Sequence, residues 1–428
     1  MVFIDFNRDG NTAYEFVSTL GGGTMDGTYS RGNHSNRDWD GPWLTQVSED
    51  DEHWYSEFFI PWTTTTYKSV NAQLREISIY FQRFNVVDSQ AYSFPDTSRG
   101  RKGFTYEFEP VTVNNFTGSS YKVSSYISSQ REIVTDKNVT DVGIDLVYKP
   151  TENQQIIAAI NPDFGQIESD ELVVNYSAIE TLRTDKRPFF TENQALFDVQ
   201  GPEQLKLVNT RRIGASAEQK SDELHDIALA TKYINAQDWG NLGLLAVKEK
   251  DVVEDDGKTF ISGRWLNSGD SLRFGQLVNY VDNPAANRRS YVTNFDLSYD
   301  ISETSRIFSN VFVSDIEQDS VHSRGKGFTT AASYVPVRYW QNNVELVYLD
   351  EDVYLNDFGY QQRNNLMKVS VNSQYDDTQF AKSSAILRSR YYLSASYSEN
   401  LQHDILPTQY YASIYAGLRD KQGFRIGY

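Results

Sequence analysis

Residues 291–301 have the sequence YVTNFDLSYDI, in which apolar and polar side chains alternate with little interruption. Successive side chains of a β-strand point to opposite faces of a sheet, so this period of two predicts a strand with unlike faces. The apolar face consists of Tyr291, Thr293, Phe295, Leu297, Tyr299 and Ile301, and the polar face of Asn294, Asp296, Ser298 and Asp300. The same alternation recurs in residues 367–375 and 410–419. A series of such strands is therefore predicted.

From about Tyr121 onward, strands of about ten residues follow one another, which is the length that a tilted strand needs to cross a bilayer. Tyr and Phe gather near the strand ends, as in the aromatic girdles of outer-membrane barrels. A closed barrel is the only sheet that satisfies its backbone in lipid, and its polar faces line a lumen. That arrangement is compatible with a mean hydropathy of −0.55. We therefore predict an all-β chain with an antiparallel transmembrane β-barrel; a soluble sandwich, a propeller or a β-helix would also show alternation.

The composition excludes several classes of function. The 428 residues carry a net charge of −18 and contain no cysteine. Duplex nucleic acid binding requires a basic face, and thiolate metal sites and cysteine nucleophiles require cysteine. The five histidines show no His-x-x-x-His pair, and neither a Gly-x-Ser-x-Gly elbow nor a phosphate-binding loop is present. A glycosidase needs only two carboxylates at a set separation. Because the chain has 58 acidic residues, this criterion neither supports nor excludes a glycosidase.

The N-terminal region differs from the rest in composition and in the length of its apolar runs. Four of the seven tryptophans lie in the first 62 residues, among short apolar runs that are bounded by Gly and Pro. This pattern predicts a soluble β-sandwich over residues 1–111, followed by the barrel over residues 112–428. The first residues lack the basic start and apolar stretch of a signal peptide, so Met1 is not expected to be the natural start.

Between residues 161 and 214 the alternation fails and charged residues accumulate. Irregular backbone at membrane depth is tolerated only inside protein or in a water-filled lumen. We predict a plug-like segment in which Arg side chains pair with carboxylates. The alternative is that these residues only lock the first strands to the rest of the barrel. The candidates for the interior network are Asp163, Glu168, Asp170, Glu180, Asp185, Lys186, Arg187, Arg211 and Arg212.

Three blocks of this segment resemble an uncharacterised bacterial family, the domain-of-unknown-function family 5916. They are NPDFGQIESD at 161–170, DKRPFF at 185–190 and RRIG at 211–214, and LNDFGY at 355–360 is similar to a later block. Asp185 stands where the family usually has Glu. The resemblance implies an outer-membrane barrel of a Gram-negative bacterium, preceded by a domain like carbohydrate-binding family 9.

The N-terminal blocks FIDFNRD at 3–9, WDGPW at 39–43 and EFFIPW at 57–62 resemble the second half of that family 9-like sandwich. The resemblance implies that the first strands of the sandwich and the last strands of the barrel are absent. It also implies outer-membrane lipid and glycans as partners.

Two small-ligand sites are candidates in the sandwich. Asp5, Asn7 and Asp9 precede Gly10 as in the start of a calcium loop, and family 9 sandwiches often carry Ca²⁺. Phe16 stands where the twelfth loop position needs Glu, so a polar turn is the alternative. Trp39, Trp43 and Trp54 are candidates for stacking on sugar rings, or for packing in the sandwich core.

The expected function is that of a non-enzymatic outer-membrane barrel with glycan binding or transport, without a cofactor other than this Ca²⁺. A carbohydrate-active hydrolase of carbohydrate catabolism and a soluble all-β binding protein are the alternatives.

Overall fold

The computed structural model describes residues 1–30, 34–86, 90–97, 99, 103–132, 137–162, 180–202, 204–215, 226–251, 256–269, 271–337, 339–381, 383–420 and 422–428. Regular structure in these ranges is almost entirely antiparallel β-sheet, which confirms the predicted all-β class. No helix in the described part of the chain is long and apolar enough to cross a membrane.

The N-terminal sandwich contains a main sheet and a separate hairpin. The main sheet has the strand order β4-β3-β2-β1-β7-β8, with β9 also paired to β7, and the hairpin is formed by β5 and β6. The strands are β1 (Val2–Asp5), β2 (Thr12–Ser18), β3 (Thr24–Ser30), β4 (His34–Asn36), β5 (Leu44–Glu49), β6 (Trp54–Phe59), β7 (Leu74–Asn85), β8 (Gln90–Phe94) and β9 (Glu109–Asn114). Because β9 continues to Asn114, the predicted limit at residue 111 falls inside a strand.

Aromatic side chains cover both faces of the main sheet. Phe3 packs on one face with Tyr80 and Phe104. Phe16 packs on the other face with Trp39, where the β5–β6 hairpin covers it. Short 3-10 turns at Trp62–Thr64 and Phe104–Glu107 close the two layers.

A second, larger antiparallel sheet contains the strands that the alternation predicts. In the described ranges each strand pairs with the next along the chain, and β10 and β26 at the two ends have one neighbour each. The strands are β10 (Ser120–Glu132), β11 (Lys137–Thr151), β12 (Gln154–Ile160), β14 (Ile227–Gln237), β15 (Gly240–Glu249), β16 (Thr259–Ser268), β17 (Leu272–Asn283), β18 (Arg288–Ser302), β19 (Ser305–Gln318), β20 (Val321–Tyr334), β21 (Trp340–Leu349), β23 (Leu366–Asp377), β24 (Ile386–Glu399), β25 (Gln409–Leu418) and β26 (Gly423–Gly427).

The remaining elements lie in the connections of this sheet. They are helices α1 (Pro188–Thr191) and α2 (Gln194–Phe197), the two-residue strands β13 (Leu205–Lys206) and β22 (Tyr360–Gln361), and 3-10 turns at Thr210–Arg212 and Pro284–Ala286. β13 and β22 pair with each other.

The two ends of the large sheet differ in their connections. At one end, which we call the short-turn end, two residues join β11 to β12, β14 to β15 and β18 to β19. At the other, the long-loop end, residues 161–226 join β12 to β14, and residues 350–365 join β21 to β23. The sandwich contacts the short-turn end, where Tyr67 N donates to Glu152 O (3.0 Å) and Lys149 Nζ donates to Thr63 O (2.6 Å).

Candidate functional site: the interior segment and its contacts

We call residues 180–215 the plug segment, and its described residues, 180–202 and 204–215, lie on the buried face of the large sheet. Phe190 and Ile213 of this segment are 1% and 2% exposed. They belong to one apolar cluster with inward side chains of the strands, such as Phe260, Leu277 and Phe312. The structure thus places the segment against the strand faces that would line a lumen.

Within the plug segment, Asp185 and Arg187 form a buried bidentate pair. Arg187 Nε donates to Asp185 Oδ1 (2.9 Å), and Nη2 donates to Oδ2 (2.6 Å). Arg187 also donates to the carbonyl oxygens of Thr210 (2.7 Å) and Ile213 (3.0 Å), and Thr210 Oγ1 donates to Asp185 (2.6 Å). A guanidinium fork suits this role because its donors lie in fixed planar directions. The pair therefore fastens the first part of the segment to its last part.

A second contact joins the plug segment to residues 350–365, which we call the infolded loop. Arg212 donates to Glu180 Oε2 (2.7 Å) and to Gly359 O (3.1 Å). Asn209 N donates to Phe358 O (2.6 Å), beside the β13–β22 pairing. We call the strands of the large sheet the wall. The infolded loop is held to the wall because Arg288 of β18 binds both carboxylate oxygens of Asp357. Both long connections therefore fill the interior together.

Charged side chains of the wall strands bind the plug segment and hold it against the wall. Lys232 of β14 is 2% exposed, and its ammonium donates to Phe189 O (2.7 Å) and Glu192 O (2.7 Å). Arg264 of β16 is 1% exposed; its Nε donates to Leu196 O (3.2 Å), and its two terminal nitrogens bind Asp296 (2.6 and 2.9 Å). These cations thus take up backbone carbonyl groups of the irregular segment, which would otherwise lack donors.

The middle of the plug segment reaches the sandwich at the short-turn end. Trp39 Nε1 donates to Glu192 Oε2 (3.0 Å), and Asn36 Nδ2 donates to Gln194 Oε1 (2.9 Å). The segment enters and leaves at the long-loop end, where Gly214 N donates to Glu249 Oε1 (2.7 Å). It therefore crosses the interior from the long-loop end to the short-turn end and returns.

The predicted network residues have different fates. Asp185, Arg187, Arg212 and Glu180 take part in the pairs above, and Arg211 Nε donates to Thr184 O (2.9 Å). Lys186 is half-buried. The other predicted members, Asp163, Glu168 and Asp170, lie outside the described residues.

The sugar-stacking candidates are mostly core residues. Trp39 is 2% exposed between Tyr14 and Phe16, so the prediction that it stacks on a sugar does not fit the structure. Trp43 stacks on Phe58 with ring centroids 5.9 Å apart. Trp54 is half-buried on β6.

The calcium candidate offers the side chains of Asp5, Asn7 and Asp9, whereas Ca²⁺ takes about six to eight oxygen ligands. Both oxygens of Asp5 accept backbone N–H groups, from Asn7 (3.0 Å) and Gly10 (2.7 Å). Lys68 Nζ lies 3.5 Å from Asp9 Oδ2 and Lys68 N donates to Asn7 Oδ1 (2.8 Å). The described residues also contain no group of three or more acidic or histidine side chains that could hold a metal ion. Asp5, Asn7 and Asp9 thus form a hydrogen-bonded polar turn, and Ca²⁺ at this turn stays a prediction.

Comparisons with known proteins find one family model that is similar to part of the chain. The model of a domain of unknown function, DUF5916, matches residues 120–241, which include the plug segment. No curated protein matches the chain. Similar solved structures include a mutant porin of Rh. blastica (9% identity, 83% of this chain and 90% of that chain, TM-score 0.28), OprD of Pseudomonas aeruginosa (8%, 83% and 88%, 0.30) and the loop-deleted OmpT of Vibrio cholerae (12%, 73% and 98%, 0.33). These identities and TM-scores are too low to support an argument about function.

Sequence reasoning missed Lys232, Arg264, Arg288, Glu192 and Asp357. The strand cations among them occupy inward positions of the alternation, where a polar residue looks like ordinary lumen lining. Their charge could have identified them, because a cation that faces a water-poor interior needs a specific partner.

Proposed function

We propose that the chain forms an outer-membrane β-barrel whose interior is closed by the plug segment, and which transports solute when that segment moves. One observation carries the proposal: the outward face of the large sheet is apolar and exposed, whereas the polar side chains of the strands face inward and are buried beside the apolar cluster that packs on the plug segment. Phe295 is 58% exposed and Val311 is 52% exposed, whereas Asn294 and Ser314 are fully buried. A soluble sheet rarely exposes an apolar face of this extent to water, whereas a membrane-spanning sheet exposes one to lipid.

The exposed apolar face extends over many strands. Its members include Leu244, Ile261, Val278, Tyr291, Phe295, Val311, Phe328, Leu346, Val371, Leu393 and Ile414. A patch of this extent is rare on soluble monomers.

The interior supports a closed resting state. Buried charged groups that face it, such as Arg187, Arg264 and Arg288, are paired with carboxylates. Paired charges and an apolar cluster leave the plug segment well anchored, so the permeable state requires the segment to move.

The test uses the full-length protein expressed with a signal peptide. Membranes are fractionated, and unheated and heated samples are compared on a detergent gel. We expect a heat-modifiable band in the outer-membrane fraction and, in planar bilayers, low conductance that rises when residues 180–215 are replaced by a flexible linker. A monodisperse protein that is extracted without detergent would contradict the membrane proposal.

Glycan as the bound or transported solute stays a prediction. Trp54 is half-buried on β6, and the Arg83 guanidinium carbon lies 5.6 Å from its ring centroid. Retention of the protein on insoluble polysaccharide, lost in Trp54→Ala and kept in Trp43→Phe, would support it. Equal retention of wild type and Trp54→Ala would remove this residue from the proposal.

A further inference from the structure

We infer that the N-terminal sandwich is a latch that holds the plug segment in place, so that lifting the sandwich from the short-turn end releases the plug. This inference rests on the proposed function, because it assigns the control of the same plug segment. Its basis is the set of contacts that the tip of the segment, residues 192–197, makes with both the sandwich and the wall.

The tip lies between the two bodies. Helix α2 contacts β3 of the sandwich on one side and β15 and β16 of the wall on the other. From the sandwich, Trp39 and Asn36 donate hydrogen bonds to Glu192 (3.0 Å) and Gln194 (2.9 Å). The tip therefore cannot leave its position without breaking bonds to the sandwich.

Glu192 is the residue on which these contacts converge. Its carboxylate accepts from Trp39 and, at 3.3 Å, from Gln155 Nε2 of β12, while its main-chain oxygen accepts from Lys232. Glu192 is half-buried, and hydrogen bonds to a charged carboxylate are stronger than those between neutral groups. If Trp39 is withdrawn, Glu192 loses this hydrogen bond and is held less firmly, although Lys232 still binds its main-chain oxygen.

Trp39 moves with the sandwich rather than with the plug segment. Its ring packs on Tyr14 at a centroid distance of 4.9 Å and on Phe16 at 6.1 Å, both in β2. Displacement of the sandwich therefore carries the indole N–H away from Glu192.

The seam between the sandwich and the wall is polar and suits repeated separation. The Tyr106 ring lies between the guanidinium groups of Arg273 (4.0 Å) and Arg306 (4.2 Å), and Asp300 pairs with both arginines. Beside them is a small cavity of about 10 Å³, room for about one water molecule, which Ser298 and Asn310 also line. Polar interfaces between domains separate at less cost than apolar ones, because their groups are rehydrated.

The first experiment compares Trp39→Phe with Trp43→Phe in the full chain in planar bilayers. Each change removes one indole N–H from the sandwich and keeps an aromatic ring. Trp43 donates to Asp26 (2.9 Å) within the sandwich, so it is the matched control. We expect Trp39→Phe to raise the open probability by about tenfold, the effect of one hydrogen bond to a charged group, and Trp43→Phe to leave it unchanged.

A second pair of variants covers the case in which Trp39→Phe does not fold. Gln194→Ala removes the acceptor of Asn36 from the plug side, and is expected to raise the open probability. Asn36→Cys with Gln194→Cys, linked by a short bifunctional thiol reagent, is expected to lower it below the wild-type value. The chain has no cysteine, so the reagent acts only at the introduced pair.

The outcomes separate the two proposals. If Lys232→Met, which removes the anchor from the wall, opens the pore while Trp39→Phe and Gln194→Ala do not, the plug is real and the latch is refuted. If the folded protein shows no conductance with Lys232→Met or with the plug segment replaced, the proposed transport function fails as well.

Discussion

Three buried arginines, Arg187, Arg264 and Arg288, each bind one aspartate through two nitrogens. The guanidinium stays charged and presents planar donors, so it can satisfy a carboxylate and still bond a backbone carbonyl group. Arg264 does this with Asp296 and Leu196. Such a pair is costly to break on one side, because the remaining charge is left buried without compensation.

The Arg264–Asp296 pair permits a test at this scale. We expect Arg264→Met to lower the free energy of unfolding by about 3–5 kcal/mol, and Arg264→Met combined with Asp296→Leu to recover much of it. Urea unfolding in lipid vesicles, followed by the loss of the heat-modifiable band, measures both. A double variant less stable than the single variant would contradict the pairing.

Asp5 sets a pH dependence for the sandwich. Burial, with a smaller contribution from Asp9, raises the pKa of Asp5 to about 7. An acid with a raised folded-state pKa binds more protons when folded, so the stability that Asp5 contributes is fully present below about pH 4 and is lost as the pH rises through 7. We expect wild type to lose roughly 3 kcal/mol between about pH 5 and pH 8, and Asp5→Asn to lose much less.

Tryptophan fluorescence during denaturant unfolding measures this effect, since four of the seven tryptophans lie in the first 62 residues. Asp51→Asn, at an exposed position of the same sandwich, is the control and should keep the wild-type dependence. Equal pH dependence in Asp5→Asn and wild type would contradict the assignment.

At the scale of elements, the period of two was enough to predict the strands. Residues 291–301 lie in β18 and residues 367–375 in β23. The pattern is reliable because the two faces of the sheet have different surroundings, so that apolar and polar side chains alternate along each strand. The path of the plug segment could not be predicted in this way. The β13–β22 pair and the Trp39–Glu192 bond join residues far apart in sequence, and nothing local specifies such partners.

The outward face of β19 gives the element-scale prediction. Val311, at mid-strand, and Leu20, in the turn after β2 of the sandwich, are 52% and 46% exposed. A lysine facing lipid at mid-membrane costs about 2–4 kcal/mol, whereas a lysine facing water costs little. We expect Val311→Lys to reduce the heat-modifiable band and Leu20→Lys to leave it unchanged. Equal tolerance of both changes would indicate that β19 faces water.

For the whole molecule, the asymmetry of the two ends suggests an orientation. Outer-membrane barrels have short turns on the periplasmic side and longer loops outside. The sandwich contacts the short-turn end through Tyr67 and Lys149. Within the proposed function, the sandwich is therefore periplasmic, and the latch is operated from the periplasm while the plug segment enters from the outer side.

Cysteine labelling of intact cells tests this orientation, and the cysteine-free chain gives no background. Glu303→Cys places a thiol in the exposed β18–β19 turn at the short-turn end, and Gln402→Cys places one in the exposed β24–β25 loop at the long-loop end. We expect a membrane-impermeant maleimide to label Gln402→Cys on intact cells and to label Glu303→Cys only after the outer membrane is permeabilised. Both sites should react equally after solubilisation, which controls for thiol accessibility. The reverse pattern on intact cells would place the sandwich outside, and a periplasmic force on the latch would then be impossible.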